Sequence, residues 1–412
     1  MTRIYLWIIF FAAVIPTALY IYSSRYYLTY EKTTLQRSEF LEKNEEEEIL
    51  IGVIWNKPNS SFLKGVDCAV ELLNIDNFNN YITDDKKEIK RNLKAITVLM
   101  GNSKASSQLN AINLSKEATI AAVIGQPGSV SAIPASITYN YNGAPYLSPV
   151  ATSDILTKHN FSYVFRNAPR DSDFAKALIN FCHNRKYQKV AVIYCRDNYG
   201  ISFSNFFVEA AAGLNSEKKE ERVPLDILLQ KSYSSNQKVF LPMIAEIIES
   251  KADCIFIAGS VNSKAGLLIK RIRQMGLRVP ILGGDGLEDY DLVDEIGIYA
   301  GELYVASVFD RNYIYPDGSL FYNAKQRYFE KNKTEPDYEA TQGFEAVYIL
   351  AQAFKLTQST HPLTITSFLK VYDEFQGING KVSFSKDGDI EGKPVFINQL
   401  VNGKFDRIKE VE

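Results

Sequence analysis

Ser129 follows the run Ala121-Ala122-Val123-Ile124-Gly125 and the turn Gln126-Pro127-Gly128. Small and β-branched residues closed by Gly125 and Pro127 predict a buried strand ending in a turn, with Ser129 at a helix N-cap. Further on, Tyr146-Leu147 predicts a second short strand, closed by Ser148-Pro149 and reaching Thr152, which can cap another helix. Two neighbouring strand ends would then each deliver a hydroxyl and free backbone N–H groups. Helix N-termini offer unpaired donors and a favourable dipole, so the chemistry is capture of a small anion such as a carboxylate. Capping alone would also account for both hydroxyls, and the two roles are compatible.

Other residue types argue against a reaction. His159, His183 and His361 stand in no nucleophile or metal motif. Gly283-Gly284-Asp285-Gly286 lacks the lysine of a phosphate loop and the spacing of a dinucleotide fingerprint. Taken alone, Asp285 reads equally well as an Asx turn between glycines. No enzyme, cofactor or metal is expected. Lys plus Arg 46 against Asp plus Glu 48 leaves a net charge of −2 without a basic stripe, so nucleic acid is not an expected partner. Cys68, Cys182, Cys195 and Cys254 show neither metal spacing nor a paired motif. No obligatory disulfide is expected, and Cys182 with Cys195 is the one pairing left open. The 25 Tyr suit ring-lined clefts, and coding bias would supply them as well.

These residues need a scaffold of alternating strands and helices. At 412 residues the chain exceeds what one core usually serves. Ile51 to Trp55 and Ile96 to Met100 predict strands, with helices near Phe62 to Phe78 and Ser106 to Ala118. Phe62, Val66, Ala69, Leu72 and Leu73 keep a helical period, with Asp67 and Glu71 outside it. A second round follows, with strands at Val190 to Cys195, Ile227 to Lys231, Cys254 to Ala258 and Ile281 to Leu282. Helices are expected over Tyr199 to Ala212, Val239 to Glu249 and Asn262 to Met275. Alternation of this kind predicts α/β architecture with parallel sheets and helices on both faces. Ligands on such sheets bind beyond the carboxyl ends of strands, where Ser129 and Thr152 fall. Asn402-Gly403 after Val395 to Leu400 is a type I′ hairpin signal.

Ahead of this body, Ile4 to Tyr22 is an uncharged apolar run, about 28 Å long as a helix at ~1.5 Å per residue. That length suits a bilayer, and the exit through Tyr20-Ile21-Tyr22-Ser23-Ser24-Arg25 is a poor cleavage site. An uncleaved transmembrane helix is expected in preference to a removed signal. Tyr26 to Glu48, polar and ending in four glutamates, reads as a partly helical stalk.

Ile124-Gly125 with Ser129, followed by Ser148-Pro149-Val150-Ala151-Thr152, resembles the amino-acid-binding members of the type I periplasmic binding protein superfamily. The leucine/isoleucine/valine-binding proteins and the ligand regions of receptors are its members, and the resemblance runs from about Ile51 to the C-terminus. It implies two doubly wound lobes joined by a hinge of three crossings. On that pattern residues 1–25 are the anchor and 26–48 the stalk. Residues 49–168 with 305–377 form the first lobe, and 169–304 with 378–412 the second. It implies that Ser129 and Thr152 hold a ligand carboxylate and that the Val150 carbonyl accepts from its ammonium. From the second lobe, Asp285 would meet the ammonium and Tyr199, in Tyr199-Gly200, would close over the ligand. This sequence departs from the pattern where Asp285 replaces the more frequent glutamate. It departs again at Gly259-Ser260-Val261, where a tyrosine is often presented, at Gly101-Asn102, and in the shortened Trp55 to Ser61. The expected function is extracytoplasmic capture of an amino acid or similar small polar ligand for a membrane permease, an ABC-type transporter. The alternative is a membrane-tethered sensor using the same clamp.

Overall fold

The computed structural model describes residues 34–41, 48–82, 88–101, 104–216 and 224–408. The apolar run Ile4 to Tyr22 and most of the polar segment after it lie outside the described residues. Among the described residues, no helix is long and apolar enough to cross a membrane.

The first part of the chain forms α1 (34–41), β1 (Glu48–Trp55), α2 (Ser61–Ile75), β2 (Tyr81–Ile82), β3 (Glu88–Ile89), β4 (Asn92–Leu99) and α3 (Lys104–Lys116). It continues through β5 (Ile120–Gly125), α4 (Ser129–Tyr141), β6 (Tyr146–Ser148) and β7 (Val164–Arg166). These strands build a five-stranded sheet in the order β4-β1-β5-β6-β7, parallel throughout. Every residue of β5 is buried, as expected of a parallel strand covered on both faces.

The second round comprises α5 (Asp171–Asn184), β8 (Lys189–Cys195), α6 (Asn198–Ser216), β9 (Asp226–Tyr233), α7 (Leu241–Ser250), β10 (Cys254–Ala258) and α8 (Ala265–Gln274). After it come β11 (Ile281–Gly283), α9 (Tyr290–Ile296) and β12 (Leu303–Ser307). The chain then forms α10 (Leu320–Asn332), α11 (Tyr338–Thr357), α12 (Pro362–Val371), β13 (Phe375–Gly377), β14 (Gly380–Phe384) and β15 (Ile390–Glu391). It ends in the hairpin β16 (Phe396–Val401) and β17 (Lys404–Arg407). The second sheet has seven strands in the order β17-β16-β12-β11-β10-β8-β9. Its β16 and β17 run antiparallel, joined through Asn402 and Gly403, both at positive φ as a type I′ turn requires.

The chain passes between the sheets three times: after β7, after β12 and after β15. The family pattern put the second passage before residue 305 and the third at 378, but the structure differs at both. Strand β12 stays in the second sheet beside β11. Phe375, Val382, Phe384 and Ile390 pack into the first lobe's core with α2 and α11. Apolar faces decide this, because Phe375, Val382, Phe384 and Ile390 bury in the first lobe's core, while β16 pairs with the side of β12 away from β11. Near the passages, Lys393 donates to the Asn167 carbonyl and to Gln342 Oε1, both at 2.8 Å, and pairs with the Glu345 carboxylate. The Lys393 and Glu345 side chains are each 1% exposed.

Helix α1 falls within the segment expected to be a solvated stalk, and it is docked instead. Arg37 is 1% exposed, and its guanidinium donates to the carbonyls of Ile120 and Ser115. Burial lowers its pKa to about 10. Thr360 donates to the Leu41 carbonyl at 3.3 Å. A charged residue satisfied by main-chain carbonyls leaves no apolar period in the sequence, which is why the segment reads as solvated. Arg37→Ala is expected to lower stability by about 1 to 3 kcal/mol, since two carbonyls lose a charged donor. Urea melts would test this, and an unchanged midpoint would mean that α1 is merely adjacent to the lobe.

Candidate functional site

In each sheet the strand order reverses beside the first strand, between β1 and β5 and between β8 and β10. A crevice at the carboxyl ends of strands opens at such switch points. The two crevices face one another and form a cleft of about 570 Å³. Ser129, Val150, Tyr199 and Asp285 all line it. Thr152 does not.

On the first lobe, α4 begins at Ser129, with Gly128 rather than Ser129 as N-cap. Ser129 Oγ accepts from the Ser153 N–H at 3.1 Å, which fastens the end of β5 to the loop after β6. Pro127 to Ser131 border the cleft, so the first N–H groups of α4 are available there. Thr152 turns inward. Its carbonyl accepts from Asp171 N and Arg166 Nη1, both at 2.8 Å, and its hydroxyl is sealed from solvent against the Asp171 carboxyl. The 3-10 turn that follows it, Asp154–Leu156, has Ser153 as its N-cap, so the expected Thr152 cap is absent. Arg166 causes this orientation: wholly buried, it holds the carbonyls of Thr152 and Ser153 together. The Thr152 hydroxyl is left beside Asp171, whose pKa burial pushes up to about 8. Trp55, stacked on Phe62 with ring centroids 3.6 Å apart, supplies an apolar patch of wall.

On the second lobe, Asp285 opens the 3-10 turn after β11 and is 8% exposed. Tyr199 donates to its Oδ1 at 3.3 Å. Tyr338 donates to its Oδ2 at 2.9 Å from the start of α11, across the cleft. Burial raises the Asp285 pKa to about 6, against the two tyrosine hydrogen bonds, which lower it. A side chain at Gly284 could not coexist with this arrangement, because its Cβ would lie 2.5 Å from the Phe203 ring and 2.8 Å from the Tyr199 hydroxyl. Sequence reasoning missed Tyr338. The available signal was Asp337, whose side chain caps α11 by accepting from Ala340 N at 2.8 Å and so sets Tyr338 in the first turn.

The departure at Gly259 also has a physical reason. A Cβ there would lie 2.3 Å from the Tyr233 hydroxyl, which reaches the spot from β9 and meets Ser263 Oγ at 3.2 Å. Ser260 to Ser263 line the cleft in place of a ring. Gly101 also lines it, while Asn102 lies outside the described residues. All four cysteines are free, and Cys182 lies beside Cys254, not Cys195.

The pattern of the receptor family ligand binding region matches residues 66–398. The chain belongs to that family. A Leu/Ile/Val-binding protein homolog 1 of Brucella abortus (strain 2308) is 26% identical over 268 residues, 65% of this chain and 68% of that one. An amino acid binding protein of Pseudomonas aeruginosa is 28% identical over 276 residues, 66% of this chain and 69% of its own. Among solved structures, an ABC transporter substrate-binding protein of Desulfitobacterium hafniense in complex with Leu superposes with a TM-score of 0.74. It is 24% identical and covers 88% of this chain and 100% of its own. A leucine binding protein of Thermotoga maritima gives a TM-score of 0.75 at 19% identity, covering 88% and 98%. The fold is therefore that of the type I periplasmic binding proteins, and the family is one of ligand binding, not catalysis.

Proposed function

We propose that the protein captures an amino acid in its cleft outside the cytoplasm and delivers it to an ABC-type permease, tethered by the apolar run Ile4 to Tyr22. One observation carries the reading: a buried carboxylate, Asp285, lines the same cleft as Ser129 and the start of α4, and that cleft has room for an amino acid. The two walls suit the two ends of a zwitterion. The carboxylate of the ligand would meet N–H groups and the Ser129 hydroxyl, which the fold already fixes. The α-ammonium would meet Asp285 and the Val150 carbonyl as the lobes close about the three passages. Tyr199 would cover it. Thr152 would act from behind, through its carbonyl and the loop that Arg166 holds. Closure is a population shift driven by the ligand's better fit to the closed state, without chemistry.

A thermal-shift screen over the amino acids tests the reading. A ligand at 100 times its Kd adds about 2.7 kcal/mol to stability. No shift with any amino acid would sink it. The tether is tested separately, by mass spectrometry of membrane fractions for the peptide containing Ile4 to Tyr22.

A further inference from the structure

We propose that the ligand carries a second positive charge at the far end of its side chain, as a basic amino acid does, and that Glu288, Asp289 and Glu339 receive it. This rests on the reading that the α-ammonium sits at Asp285. The cleft is lined by Asp197, Asp285, Glu288, Asp289 and Glu339, and among the described residues Arg196 is the one cation on its wall. Arg196 adjoins Asp197 and is exposed.

The remaining carboxyls come from both lobes: Asp289 already caps α9 by accepting from Asp291 N at 2.7 Å, while Glu288 and Glu339 have less to satisfy them. Glu288 is 6% exposed, and its Oε1 accepts from Asn398 at 2.8 Å. Its Oε2 is sealed from solvent, with the Ser307 hydroxyl as the other donor beside this carboxyl. A buried carboxyl with few donors is costly unless something else supplies more. Glu339, from α11, accepts only a long bond from the Ser61 hydroxyl, at 3.4 Å. Asp289 and Asp337 both repel it. Lys57 is the cation near this group, and it is committed to Asp291 at 2.6 Å, in an exposed pair outside the cleft lining. Beyond the Asn398 amide and the Ser307 hydroxyl the fold offers Glu288 no donor, and it sets this carboxyl beside Asp285 and Asp337. A ligand ammonium or guanidinium, by contrast, would supply further donors, and an aliphatic side chain would seal the carboxyls in without a counter-charge.

The groups facing this corner are Asp285, Asp337, Tyr199, Tyr290, Tyr328, Tyr338 and Lys57. Burial pushes both Glu288 and Glu339 up to about 8. Without a ligand they hold protons at neutral pH, and an arriving cation favours their charged forms. Binding therefore releases protons and tightens as pH rises towards 8.

Calorimetry on the full chain with L-lysine and its neutral isostere L-norleucine, at pH 6 and pH 8, tests this. Lysine is expected to bind at least about ten-fold tighter than norleucine, with the ratio larger at pH 8 and protons released to buffer. Glu288→Gln and Glu339→Gln, on different elements, should each cut that ratio by about ten-fold, with the apo melts establishing that both variants fold. Norleucine binding as tightly as lysine would overturn the inference while leaving the amino-acid reading intact. Binding of neither, nor of any other amino acid, would overturn both. A ratio unchanged in both variants would overturn the assignment of these carboxyls.

Discussion

Asp285→Ala is expected to cost about 2 to 5 kcal/mol of amino-acid binding, roughly 30-fold to several-thousand-fold in Kd. The ligand α-ammonium would otherwise leave water for a position that has lost its own counter-charge. Asp285→Asn separates charge from hydrogen bonding, because an amide can still accept from Tyr199 or Tyr338 but cannot neutralise an ammonium. It should lose nearly as much affinity as the alanine variant. The apo protein tells a different story. With its pKa raised to about 6, Asp285 is more readily protonated in the folded than in the unfolded chain. Its ionisation therefore removes stability as pH climbs from about 4 to about 6, and the full cost persists above that. In Asp285→Ala this loss disappears, while two buried tyrosine hydroxyls lose their acceptor, so at pH 7 the variant should match the wild type within about 1 kcal/mol. Calorimetry, together with urea melts at pH 4.5 and pH 7, would reveal all of this. Unchanged affinity in Asp285→Ala would mean that no ammonium docks there.

The second large effect is on folding. Lys393→Met is expected to destabilise the protein by about 3 to 5 kcal/mol, because the Glu345 carboxyl would be left inside the protein with its cation gone. The Glu345 carboxylate would still accept from Ile378 N at 2.7 Å and from Asn167 Nδ2 at 3.0 Å, which tempers the loss without cancelling it. A double variant, Lys393→Met with Glu345→Leu, should recover most of the stability, since apolar replacement of a whole buried pair is often neutral or better. Denaturant midpoints for the three proteins decide the matter. A single variant as stable as wild type would mean that water reaches the pair.

Much of the fold was legible because its signals are local. The helical period of Phe62, Val66, Ala69, Leu72 and Leu73 survives as the buried face of α2. Asn402-Gly403 permitted one kind of turn. Ser129 could be placed on the cleft because it follows a strand end, while Val150, Tyr199 and Asp285 are placed there by the resemblance to the family's pattern. Tyr338 belongs to a helix that reaches the cleft only after the chain has recrossed; the Asp337 cap marks the start of that helix but not the cleft it meets. Thr152 is turned away by Arg166, a charge buried against two main-chain carbonyls and the Asp389 carboxylate, and Arg37 docks α1 through main-chain carbonyls as well. Hydropathy reads both arginines as surface, so these errors share one cause.

The order of segments in the second sheet bears on how the chain becomes a protein at all. Strand β12 pairs with β16, yet α10, α11, α12 and β13 to β15 all come between them and belong to the other lobe. A nascent chain emerging from the ribosome can assemble β8 to β12 early, but its outer edge stays open until the last residues have been made. That edge offers unpaired main-chain groups to any neighbouring strand. The first lobe is likewise unfinished until α11 arrives to cover α2. Neither lobe can be cut out as a continuous fragment, and each half waits on the other for its completion.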